Sequence, residues 1–123
     1  MAFVAYDSEN GQGIREETDN IFHKTATWVS TDVAEVEFVA ATTGKRVLVH
    51  AITISRDNTG VDFFESGTTV CHVARTSANL NYTLPYNPKG WFATAAGAAL
   101  NFTPNDSGTD ANGAMAVVYS IID

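Results

Sequence analysis

Residues 46–55 read RVLVHAITIS, and residues 114–122 read AMAVVYSII. A strand with one wet face alternates apolar and polar residues; neither of these runs does. Strict alternation places Leu48, His50, Ile52 and Ile54 on one side of the first, and Val47, Val49, Ala51 and Thr53 on the other. The second divides into Met115, Val117, Tyr119 and Ile121 against Ala114, Ala116, Val118 and Ile122. Both faces of both strands are therefore expected to be covered. A two-layer sandwich has nothing of its own to lay over an outer face, so a second copy of the chain is the expected cover.

The remaining pattern is short β-type runs between turn residues. Strands are expected near 25–30, 33–39, 60–65, 69–75, 79–84, 91–95 and 98–103, besides 46–55 and 113–122. RDNTG at 56–60, ESG at 65–67, PYNPKG at 85–90 and PNDSGTDANG at 104–113 break them. Such spacing predicts an all-β, antiparallel sandwich or barrel of about eight strands. Residues 23–123 form this single domain. Residues 1–22 differ, because Phe3, Val4, Tyr6 and Ile14 follow no sustained period among glycines and acids. An irregular arm that gains order on a neighbour through those four residues is expected there. LPYNPKG lacks two N–H groups at Pro85 and Pro88, so it is read as a corner carrying the chain from one sheet to the other. Gly97 is placed in a tight turn.

Charge narrows the partners. The chain has 14 acidic and 7 basic side chains, a net charge of −7, and its cations are scattered apart from Lys45-Arg46. Nucleic acid is gripped by clustered cations that neutralise phosphates, and anionic membranes attract the same clusters. Neither partner is expected. Cys71 is the sole cysteine, so no internal disulfide forms, and the first residues lack the basic-then-apolar pattern of a secretory leader. The sequons at Asn81, Asn101 and Asn105 are read as accidents of composition, and assembly in the cytoplasm is expected.

Candidate chemistry is thin. His23, His50, His72 and Cys71 are the potential metal ligands. Cys71 and His72 are neighbours on a strand and so point to opposite faces, while His50 lies among apolar residues. The H-x-H pattern of metal-binding cupins is missing, and no metal or other cofactor is expected. Asp106, Asp110 and Asn112 share a loop, as calcium ligands do, but turn chemistry accounts for all three. No G-x-S-x-G elbow occurs, and no enzymatic activity is expected. Tyr82, Tyr86, Trp91 and Phe92 form either a subunit interface or a glycan-stacking platform, and Trp28 is a core residue.

The order RVLVHAITIS, GVDFFESGTTV, LPYNPKGWFATAAGAALNFTP and GAMAVVYSII resembles small jelly-roll structural proteins of tailed bacteriophages. The likeness covers residues 46–122. Phe64, Ser66 and Gly67 match its hairpin, Trp91 to Leu100 its central segment, and Gly113 to Tyr119 its last strand; none of these is catalytic in the family. The resemblance implies a jelly roll that acts as a capsid decoration (cement) protein. It would sit as a homotrimer on the outer surface of the virion head and clamp neighbouring major capsid proteins. The alternative is a receptor- or carbohydrate-binding module of a phage tail or fibre.

Overall fold

The computed structural model describes residues 4–7, 21–77, 79–106 and 110–123. None of these is helical. The strands are β1 (Val4–Asp7), β2 (Phe22–Trp28), β3 (Val36–Val39), β4 (Arg46–Arg56), β5 (Gly60–Ser66), β6 (Thr69–Thr76), β7 (Asn81–Leu84), β8 (Phe92–Ala93), β9 (Leu100–Thr103) and β10 (Gly113–Ile122). One sheet has the order β1-β2-β10-β4-β7, with β8 also on β4, and the other has the order β3-β9-β5-β6. Every pairing is antiparallel.

The pairings nest. The hairpin β5·β6 lies innermost along the chain, enclosed in turn by β4·β7, β3·β9 and β2·β10. The chain is thus one long antiparallel ribbon wrapped around itself, and its pairs fall alternately in the two sheets. This is a jelly roll.

The space between the sheets is filled by aromatic and β-branched side chains. Trp28, Phe38, Phe64, Phe102 and Tyr119 are all buried, with Val49, Ile52, Ile54, Leu100 and Val117 among them. The Phe102 ring lies 5.2 Å from Trp28 and 4.9 Å from Phe64, both tilted, an arrangement that contributes beyond buried area alone. Gly113 is required here, because a Cβ on it would lie 2.3 Å from the Trp28 ring.

At one end of the sandwich a buried ion pair closes the β4–β5 turn. Arg56 Nη1 lies 2.6 Å from Asp62 Oδ1, and both side chains are wholly buried. Asp62 Oδ1 also accepts the Asn105 N–H (2.9 Å). The Asn105 side chain in turn donates to Asp32 O (2.9 Å) and accepts from Ala111 N–H (3.1 Å). Burial pushes the Asp62 carboxyl upward, against the pull of the Asn105 amide and Arg56.

Four features depart from the sequence reading. In β4 the register against β10 shifts: Val118 faces Ala51 but Tyr119 faces Val49, leaving His50 as an extra residue. Val47 and Val49 are buried before this bulge, and Ile52 and Ile54 after it. The apolar residues on both supposed faces of β4 are therefore largely one inward set whose parity changes once. A similar shift at Cys71 in β6 removes the expected separation of Cys71 from His72, and Cys71 packs against the core. LPYNPKG is not an inter-sheet corner, since β7 before it and β8 after it pair with the same strand, β4. The two prolines interrupt pairing and push out a loop; the crossing follows β8, around Gly97 with φ 78°. Finally, Val4–Asp7 pairs with Lys24–Thr27 at the edge of the chain's own sheet, not as an irregular segment. Phe3 and Ile14 lie outside the described residues.

Candidate binding face

The outer side of the first sheet follows from alternation opposite the buried positions. On β2 it carries His23, Thr25 and Thr27, and on β10 Ala114, Ala116, Val118, Ser120 and Ile122. On β4 it carries Arg46, Leu48, His50, Ala51, Thr53 and Ser55, and on β7 Asn81 and Thr83. Among these described residues there is no carboxylate and no lysine. Arg46 is the single permanent charge, and its Nε donates to Thr94 O (2.9 Å) at the margin. The second sheet's outer side, by contrast, carries Glu37, Glu65 and Arg75. In a chain with 14 acidic side chains, the lack of one among the described residues of this face is a marked exclusion.

Two depressions are lined by described residues of this face. A shallow one of about 270 Å³ is lined by Thr25, Thr27, Thr53, Ser55, Ala114 and Ala116, with Ala26 and Met115 beneath. A deeper one of about 310 Å³ is lined by Ile21, Leu48, His50, Tyr86, Pro88, Ser120 and Ile122. Loop 85–91 forms its wall. That loop is tied to β4 by Asn87 N–H to His50 O (2.9 Å) and Trp91 N–H to Val49 O (2.8 Å). It is braced internally by Gly90 N–H to Asn87 O (2.9 Å) and Trp91 Nε1–H to Pro85 O (2.8 Å).

His50 is the polar element beneath the loop. Its Nδ1 lies 2.9 Å from Asn87 O, and its Nε2 lies 2.9 Å from Ser120 Oγ. A carbonyl only accepts, so Nδ1 carries the hydrogen and, in the neutral ring, Nε2 accepts from Ser120. Both nitrogens are occupied, and Tyr86 stacks on the ring at 5.4 Å and 23°. His50 fastens the loop and has no nitrogen left for a metal.

Gly90 sets the loop's close approach. Its φ is +81°, and a Cβ there would lie 2.2 Å from Leu48 Cδ1. Gly90→Ala is expected to destabilise the fold by about 1–2 kcal/mol from the left-handed backbone alone, before any displacement of Leu48. Chemical denaturation of the two proteins measures this.

The four aromatic candidates separate into two pairs. Tyr86 and Trp91 are exposed on the loop at 51% and 45%. Tyr82 pairs with Ile54 and, like Phe92, turns toward the core. There Tyr82 Oη lies 2.6 Å from His72 Nε2, and His72 stacks on Phe92 at 4.6 Å and 5°. Burial pushes the His72 pKa down and the Tyr82 pKa up. Of the arm residues, Val4 and Tyr6 take register positions opposite Thr27 and Thr25.

Two other chemical candidates, Cys71 and Asn112, are accounted for by the fold. Burial, with the Glu65 charge beside it, pushes the Cys71 thiol up to about 11, so it is no nucleophile at neutral pH. Among the described residues, no three His, Cys, Asp or Glu side chains converge as a metal site. Asn112 Oδ1 accepts Ser30 N–H (2.9 Å), and Asn112 N–H donates to Asp57 Oδ1 (3.0 Å), which assigns that residue to loop closure. Sequence reasoning missed the part played by His50 and Ser120, 70 residues apart. The visible signal was a histidine inside an apolar run.

No family model and no curated protein matches the chain. Among solved structures it is similar to a cupin domain from Bordetella pertussis Tohama I, with 14% identity over 99% of this chain and 95% of that one and a TM-score of 0.38. The Schizosaccharomyces pombe Cnp3 cupin domain shows 10% identity over 98% of this chain and 64% of that one, with a TM-score of 0.40. A cupin 2 domain-containing protein from Halorhodospira halophila shows 15% identity over 99% and 67%, with a TM-score of 0.33. The jelly-roll assignment rests on the strand order itself.

Proposed function

We propose that this chain is a non-enzymatic structural protein, a decoration protein of a tailed-phage head. In this reading it assembles as a homotrimer on the outside of the shell and ties neighbouring major capsid proteins together. The observation that carries the proposal is the outer face of the first sheet. A face of Ala, Thr, Ser, Val, Leu and Ile, with no carboxylate among its described residues and Arg46 as its single permanent charge at the margin, is suited to burial against protein, because little charge has to be stripped of water. The jelly-roll order is compatible with a shell as the setting, which is what the resemblance read in residues 46–122 implies. The net charge of −7 supports the outer side, since the inner side faces DNA phosphates.

Mechanically, the chain's work is binding. A standard specific interface buries ~1,600 Å² in total, and repetition over a lattice turns a modest contact into strong reinforcement. Loop 85–91, with Tyr86 and Trp91 exposed beside the deeper depression, supplies the aromatic anchors such interfaces use.

The test is co-sedimentation with phage heads stripped of their decoration protein. Saturable binding at a fixed ratio to major capsid protein is expected, from material that sediments alone as a trimer. Ala116→Glu places a carboxylate at the centre of this face, between Thr25 and Thr53. It should leave the fold intact and weaken attachment by on the order of 100-fold. Unchanged attachment of that variant would remove this face from the interface. Failure of the wild type to bind heads, with retention on host envelopes or glycans through Tyr86 and Trp91, would instead establish the tail-module alternative.

A further inference from the structure

On the outer side of the second sheet, Glu65 on β5 stands directly opposite Asn101 on β9. Glu65 is only 5% exposed. Its Oε2 accepts Thr103 Oγ1–H at 2.7 Å, but its Oε1 is buried and without a partner. Asn101 Oδ1 is likewise buried and without a partner, while its Nδ2 donates to Glu35 Oε2 and Gly67 O, both at 2.8 Å. Two unsatisfied acceptors thus occupy neighbouring positions of one ladder, where Cβ atoms stand ~4.5–5.5 Å apart. Each is a group whose burial without a hydrogen bond costs stability.

A single proton repairs both defects. On Glu65 Oε1 it turns an acceptor into a donor, and Asn101 Oδ1 is the acceptor across the ladder. Neither oxygen exposes surface to solvent, so the group that completes the pair must add almost no volume, which favours a proton over a water or a hydrated cation. We propose that Glu65 is a pH-sensitive latch whose carboxyl, when protonated, donates to Asn101 and locks β5, β9, the Glu35 loop and the β5–β6 turn together.

The charged surroundings act in the same sense. Burial, then the Glu35 carboxylate from the loop before β3 and the Asp106 carboxylate from the loop after β9, push the Glu65 pKa up; only the Thr103 hydrogen bond opposes them. The Cys71 thiol on β6, also near Glu65, is itself pushed up and stays neutral. A carboxyl whose pKa is higher in the folded state than in the unfolded chain stabilises the fold when protonated. That contribution is fully present below the unfolded value and is lost as pH rises through the folded one.

Glu65→Gln tests the latch, because a glutamine amide supplies a donor in place of Oε1–H at every pH and keeps an acceptor for Thr103. The variant is expected to melt higher than wild type at pH 7, by on the order of 4 °C. It should also lose that advantage as pH falls toward the ordinary glutamate range. Asp62, whose carboxyl is also pushed up, is present in both proteins and cancels from the comparison. In the wild type, carboxyl ¹³C NMR should give Glu65 a titration midpoint above that of an ordinary glutamate, a reading that needs no variant to fold. A midpoint at or below the ordinary value, or a constant melting difference between the two proteins across pH, would overturn the latch. A rise in wild-type melting temperature on adding calcium, absent in Glu65→Gln, would also overturn it, since a cation and not a proton would then complete the pair.

Discussion

Replacing Arg56 with leucine is expected to destabilise the fold by about 3–5 kcal/mol, because it leaves the Asp62 carboxylate buried and unpaired. The guanidinium meets Asp62 Oδ1 at 2.6 Å with neither side chain exposed, and it also donates from Nε to Asn58 O (3.0 Å) and from Nη2 to Thr59 O (3.3 Å). One side chain therefore holds the β4–β5 turn and neutralises the carboxylate that receives Asn105 N–H from the β9–β10 loop. Asp62 Oδ2 has no hydrogen-bond partner, so the site has no spare donor to take over. Urea denaturation of wild type and Arg56→Leu measures the loss. A double variant, Arg56→Leu with Asp62→Leu, should recover a large part of it, because the uncompensated charge is then gone. If the double variant proves as unstable as the single one, the loss comes from the turn contacts and not from the stranded charge.

Phe102→Ala is expected to cost a similar amount, about 3–5 kcal/mol, for a different reason. Phe102 is fully buried on β9, in the middle of its sheet, and joins Trp28 of the first sheet to Phe64 of the second. Removing the ring opens a void between layers whose strands are paired on both sides, so the walls cannot collapse to fill it. The same denaturation experiment reads it, and Val70→Thr at an exposed β6 position serves as the surface control with a change within about 0.5 kcal/mol. A loss for Phe102→Ala no larger than that control would mean the core repacks freely.

The two sites differ in how far they could be read from the chain. Phe102 lies in a short run with Leu100, and alternation alone marks both as inward. Arg56 stands within the same alternation as Ile52 and Ile54, yet it was read as the first residue of a turn. Only the fold brings Asp62 and the Asn105 loop around it, making burial of that arginine stable. Glu65 poses the same problem, because its surroundings come from β6, β9 and two loops distant in sequence.

The binding face was legible on β10 and misread on β4. In β10 the chain runs without an extra residue, so alternation correctly separates Met115, Val117 and Tyr119 from Ala114, Ala116 and Val118. In β4 the bulge at His50 changes parity halfway, and a strict period of two assigns half the strand to the wrong side. Nothing in the local sequence requires that bulge. It exists where β4 meets β10, Ser120 and the loop carrying Asn87, and where His50 satisfies both of its ring nitrogens.

What the sequence by itself determined was the β character, the places of most turns, and the small apolar outer side of the last strand. Those properties depend on side-chain alternation and on backbone preferences of Gly, Pro, Asn and Asp, which act over a few residues. The tertiary structure alone decided that Pro85 to Gly90 is a loop on one sheet, that Tyr82 and Tyr86 turn to opposite sides, and that Arg56 and Glu65 are buried. Each of those outcomes depends on which distant strand lies alongside. Partners so far apart in sequence meet only when the whole ribbon has wrapped.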